Sequence, residues 1–124
     1  MSQQLGLDSA TVPRVASAFG GGGGGSGDMC GTLAGAFMAA GLVLGRNQAA
    51  EDNRALYKVA QQVHSGFLSE MGSSGCRELT GLDLRTREGA RQLYESDVHE
   101  RVCQRAARVA TRLVSERLTA AASD

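Results

Sequence analysis

Tryptophan is absent from the 124 residues, aromatic residues make up 4% of them, and there is one proline. A core without large rings must be filled by Ala, Val, Leu and Met at close backbone spacing, which the 17 glycines allow. An excess of charge is missing as well, because 13 basic and 13 acidic residues cancel and no long run of one sign occurs. The electrostatic footprint of a nucleic-acid binder is therefore lacking, and no nucleic-acid partner is expected. Met1 to Asp8 lacks a charged segment followed by an apolar one. No signal peptide is read there, and the protein is expected in the cytoplasm. Close cysteine pairs are also missing: Cys30, Cys76 and Cys103 are too far apart in sequence for a CxxC hairpin or a zinc knuckle. An odd number of cysteines without a secretory signal argues against a disulfide framework and for reduced thiols. Any site they share has to be assembled by folding.

A chain of this length is expected to form one domain, residues 1–124. Asp8 and Ser9, ahead of Ala10, Thr11, Val12 and Pro13, read as a helix start, and Val12, Val15, Ala16 and Phe19 form its apolar stripe. Gly20 to Gly25 end that helix in a loop. From Met29 to Gly45 no charged residue occurs, and Gly31, Gly35, Gly41 and Gly45 recur among Leu33, Phe37, Met38, Leu42 and Leu44. The segment reads as a buried central helix, too short and too rich in glycine for a membrane span. Leu56, Val59, Ala60, Val63 and Phe67 mark one face of an amphipathic helix from about Ala49 to Met71. Gly72 to Gly75 stop it, and Cys76 to Leu79 read as a short helical turn ended by Gly81. Leu82 to Arg91 reads as a mixed connector, and a closing helix runs from Glu88 or Ser96 to Ala121. Its Val98, Val102, Ala106, Val109, Leu113 and Leu118 form an apolar face, while Arg101, Arg105, Arg108, Arg112 and Arg117 form a solvated one. No strand is expected. The fold class is all-α, a compact bundle of four to five helices with a glycine-rich loop before the buried central helix.

Candidate chemistry gathers at the cysteines. Cys30 opens the buried helix and Cys76 opens the short helical turn, where unpaired N–H groups favour a thiolate. Cys103 lies on or beside the apolar stripe of the closing helix, and His99, four residues earlier, shares its face at a spacing that can chelate one metal ion. Taken alone, Cys103 is more simply a small core residue. His64 is expected to be structural, since nothing near it in sequence forms a nucleophile–base pair. Gly20, Gly22 and Gly25 fit GxGxxG, but a helix precedes them and no Lys-Ser or Lys-Thr follows, so no nucleotide site is expected.

Phe19-Gly20-Gly21-Gly22, Cys30-Gly31-Thr32-Leu33-Ala34-Gly35, Gly72-Ser73-Ser74-Gly75-Cys76-Arg77-Glu78-Leu79-Thr80-Gly81 and the late Cys103 together resemble the C-GCAxxG-C-C family of redox-active proteins. The resemblance runs roughly from Leu5 to Leu118. It implies a motif of four cysteines with a CGAxxG element, of which Cys30, Cys76 and Cys103 match three and Thr32 stands where the motif has alanine. By the same resemblance, the helix that would carry the first cysteine is expected to be missing from this sequence. The resemblance further implies an iron–sulfur cluster, or else a metal ion, held by Cys30, Cys76 and Cys103 with Gly31 and Gly35 beside it. His99, His64, water or a second subunit would complete the fourth position.

Three functions follow as expectations. The first is an electron-transfer module in which the three thiols converge on a cluster or metal. The second is thiol–disulfide chemistry, with Cys30 attacking and Cys76 or Cys103 resolving. The third is a non-catalytic interaction domain that has lost the complete site. A homodimer is expected to cover apolar surface that a missing first helix would leave bare on the central helix.

Overall fold

The computed structural model describes residues 10–123. Among them are the α-helices α1 (Thr11–Ala16), α2 (Gly31–Leu44), α3 (Arg54–Met71), α4 (Cys76–Thr80), α5 (Arg87–Glu95) and α6 (Arg105–Ser123), a 3-10 turn (Ser17–Phe19) that leads from α1 into a tight glycine turn (Gly20–Gly23), and a π turn (His99–Gln104). Among the described residues there is no strand, and extended pairing is limited to one antiparallel bridge between Met29 and Gly75. The all-α expectation holds. None of the described helices is long and apolar enough to cross a membrane.

The uncharged segment becomes α2, whose Leu33, Ala36, Ala39 and Ala40 are buried against α3 and α6. Small residues on this helix let its neighbours approach closely, and the larger side chains come from them: Val59, Val63 and Phe67 of α3, and Val109, Leu113, Val114 and Leu118 of α6. The described core contains no buried polar or charged residue. Arg112 of α6 pairs with Glu70 of α3, and Arg105 donates to the Glu70 carbonyl at 3.2 Å. Arg101, Arg105, Arg108, Arg112 and Arg117 all lie exposed, as their spacing implied. Outward from the core, Gly35, Leu42 and Val43 leave one side of α2 open to solvent.

Three boundaries differ from the sequence reading. Helix α3 starts at Arg54 rather than Ala49 because side chains hold the preceding segment in a loop: Glu51 accepts from the Asn47 amide, and Asp52 accepts from the Arg54 amide at 2.9 Å. The expected connector Leu82–Arg91 instead contains the start of α5, whose first turn is capped by the Thr86 hydroxyl accepting from the Gly89 amide at 3.0 Å. The closing helix is divided, because the chain leaves helical geometry at Ser96 and re-enters through the π turn. The expected caps Asp8 and Ser9 lie outside the described residues, and the first helix begins at Thr11 with Pro13 in its first turn.

The glycine run is a loop of unusual hand. Gly21 to Gly25 all have positive φ, between 62° and 92°, so the chain makes a left-handed turn that residues with side chains rarely enter. Backbone bonds close it, from the Gly27 amide to the Gly21 carbonyl at 2.9 Å and from the Asp28 amide to the Gly22 carbonyl at 3.0 Å.

Candidate functional site

Two of the three cysteines are held by one backbone clasp. Beside the Met29–Gly75 bridge, the Cys30 amide donates to the Ser74 carbonyl at 2.7 Å and the Cys76 amide donates to the Asp28 carbonyl at 2.7 Å. Cys30 and Cys76, 46 residues apart by their numbering, therefore sit diagonally across a single pairing, each at the start of its helix. The glycine loop packs directly on this clasp. A methyl group on Gly22 would stand 2.5 Å from the Asp28 amide nitrogen and 2.7 Å from the Cys76 Cβ, and one on Gly31 would stand 2.7 Å from the Phe19 carbonyl oxygen. Glycine at these positions is what allows the loop, the clasp and the start of α2 to touch.

The third cysteine arrives from the other end of the chain. Cys103 and His99 both belong to the π turn, a wider helical geometry that is frequent at functional sites. Cys30, Cys76, Cys103 and His99 line one cavity of about 310 Å³, together with Gly31, Thr32 and Gly35 of α2. The rest of the wall is mainly apolar, with Phe19, Met38, Leu84 and Leu93. Tyr94 completes it at the rim, 72% exposed, with its ring centroid 5.2 Å from that of His99.

The electrostatics show how the thiols depend on one another. Burial pushes the Cys76 thiol above its ordinary value, and negative charge on Cys30 and then on Cys103 pushes it further. Cys103 is likewise raised, first by burial and then by charge on Cys30. Without a cation between them, the cavity disfavours a set of thiolates. Around Cys30 the Thr32 hydroxyl oxygen lies 3.1 Å from the sulfur. All three cysteines are free thiols.

Among the described residues, no group of three or more His, Cys, Asp or Glu side chains is arranged so that it could hold a metal ion as it stands. A single ion requires its donors within bonding range of one point. An iron–sulfur cluster takes four ligands, cysteine thiolates above all and histidine in some classes, and the cavity lining offers three thiols and one imidazole.

Sequence reasoning singled out Cys30, Cys76, Cys103, His99, Gly31 and Gly35, and the fold brings all six to this cavity. His64 goes elsewhere, to a shallow groove with Phe37, Tyr57 and Gln61. It does not line the cysteine cavity and is not a fourth ligand there. The sequence reading missed Met38, Leu84, Leu93 and Tyr94. Tyr94 alone left a usable sign, as one of two tyrosines and close in sequence to His99.

A search of curated proteins and a search of solved structures found no match to the chain. The family described as "Putative redox-active protein (C_GCAxxG_C_C)" matches residues 1–117. With nearly its whole length matched and its three cysteines gathered in one cavity, the chain belongs to the C_GCAxxG_C_C redox-active family.

Proposed function

We propose that the cysteine cavity is a redox centre in which Cys30, Cys76 and Cys103 hold an iron–sulfur cluster, with His99 offering an imidazole nitrogen for the fourth position. The observation that carries the reading is the shared cavity: thiols from three separate parts of the sequence line one small space. When bound, such a cluster supplies one-electron transfer. The chain's own part is to fix two ligands through the backbone clasp, to bring the third on the π turn, and to surround them with apolar side chains that limit water. A bound cation also removes the mutual repulsion that burdens ionised Cys76 and Cys103.

Anaerobic purification followed by iron and sulfide analysis tests this. The expected result is iron and sulfide in comparable amounts with visible absorption, and a marked loss of both in each of Cys30→Ser, Cys76→Ser and Cys103→Ser. Protein reconstituted with iron and sulfide that retains neither would remove the cluster.

The free thiols of Cys30, Cys76 and Cys103 lining one cavity support thiol–disulfide exchange as the second reading. The Cys30 thiolate would attack a disulfide substrate, expelling one substrate thiolate and forming a mixed disulfide. Cys76 or Cys103, losing its proton, would then displace the second substrate thiolate and form an internal disulfide, so that two electrons pass to the substrate. Metal-free protein that gains one disulfide at a defined potential in a glutathione buffer supports this reading over the first.

On either reading we propose a cytoplasmic homodimer, supported by the open side of α2, where Leu42 is 49% and Val43 46% exposed. Sedimentation of dilute protein as a monomer alone would contradict it.

A further inference from the structure

The hydroxyl of Thr32 touches a sulfur in this cavity, with Oγ1 lying 3.1 Å from the Cys30 Sγ. Its position on the helix makes that contact available. A threonine deeper in a helix commonly turns its hydroxyl to the carbonyl four residues back. Thr32 is the second residue of α2, so the corresponding carbonyl is that of Asp28, which lies outside the helix and accepts from the Cys76 amide at 2.7 Å. While Cys30 is protonated, either group can donate to the other. Once Cys30 is a thiolate or a cluster ligand it has no proton to give, and the hydroxyl is the donor.

We infer that Thr32 sets the reduction potential of the centre by donating a hydrogen bond to the Cys30 sulfur. The inference rests on reading the cavity as a redox centre, and it makes Thr32 a positioning residue that acts through Cys30. Reduction adds negative charge to such a centre. A donor aimed at one of its sulfurs stabilises the more negative state and raises the potential. The sign is the same for a dithiol couple, because a thiolate accepts a charge-assisted hydrogen bond and a disulfide sulfur accepts only weakly. The apolar surroundings provided by Phe19, Met38, Leu84 and Leu93 strengthen the bond relative to water.

Two variants of the full chain test it: Thr32→Val, which keeps the branched shape and removes the hydroxyl, and Thr32→Ser, which keeps the hydroxyl. The midpoint potential is measured by equilibrium titration, followed by visible absorption where iron and sulfide are retained and by thiol counting against glutathione where they are not. Thr32→Val is expected to reduce about tenfold less favourably, a drop of roughly 59 mV for a one-electron couple or roughly 30 mV for a two-electron couple. Thr32→Ser is expected to restore most of that drop. A Thr32→Val potential equal to that of the unsubstituted chain, or a Thr32→Ser potential as low as that of Thr32→Val, overturns the role of Thr32 and leaves the redox centre standing. A chain that forms neither cluster nor disulfide overturns both. Thr32→Ala removes the same hydroxyl with less bulk and replaces Thr32→Val should the latter disturb the helix.

Discussion

Gly22 shows how much of the site depends on single residues. Its φ of 75° is in the left-handed region, and a methyl group there would collide with the Asp28 backbone and with Cys76. Gly22→Ala is expected to lose about 2–4 kcal/mol of stability, combining left-handed strain with overpacking. Gly23→Ala, with φ of 92° but open space around it, should lose only the backbone part, about 1 kcal/mol. Urea denaturation of both variants checks the difference. The thiols give a pH prediction of defined sign. Cys76 and Cys103 ionise less readily in the folded state, so the apoprotein keeps its full stability below the ordinary thiol value of 9.0 and loses stability as the pH rises beyond it. Thermal melts across that range should show the decline, and Cys76→Ala or Cys103→Ala should flatten it. At this scale the sequence was partly legible. The cysteines and glycines announced themselves by type and position, whereas Thr32 looked like a mild departure from a motif, because a contact between side chains two residues apart leaves no periodic trace.

Among the elements, α2, α3 and α6 carry the fold; α3 and α6 were readable because each buries a continuous face, and α2 because it carries no charge. Phe67 is fully buried in α3, so Phe67→Ala should destabilise the protein by about 3–5 kcal/mol in chemical denaturation. The segment before α5 is organised differently, by charge. Asp83 accepts from the Arg85 amide at 3.1 Å and pairs with the guanidinium groups of Arg85 and, from α4, Arg77. Hydrogen bonds from Arg85 hold its carboxyl down to about 2, so its contribution is present above the ordinary carboxylate range and is lost as the pH falls through about 2. Asp83→Asn should remove that acid-side decline in thermal melts. The sequence reading offered Glu88 as one start of the closing helix but did not set α5 apart as a helix of its own, because it buries only Gly89 and Leu93, too few positions to establish a period. The π turn escaped it for another reason: it differs from an α-helix in the register of its hydrogen bonds, and hydrophobic spacing over one turn does not separate the two.

For the molecule as a whole, the site draws its cysteines from the starts of α2 and α4 and from the π turn, so a group bound between them joins parts of the chain remote in sequence. Loading the proposed centre with iron and sulfide should therefore raise the melting temperature, and removal by a chelator should lower it to that of the apoprotein. A thiol–disulfide protein would show no response to chelator. The gathering of the thiols was anticipated from the resemblance. What the sequence left hidden was how they are held, because the Met29–Gly75 bridge is made by backbone atoms whose pairing no side chain advertises.

That bridge makes the grip on the cavity lopsided. Cys30 and Cys76 are anchored to the same stitch of main chain and cannot separate unless it opens, while Cys103 hangs from a different stretch of helix. Opening that stitch would release two thiols together, whereas unwinding the π turn would release Cys103 alone, with His99 beside it on the same turn.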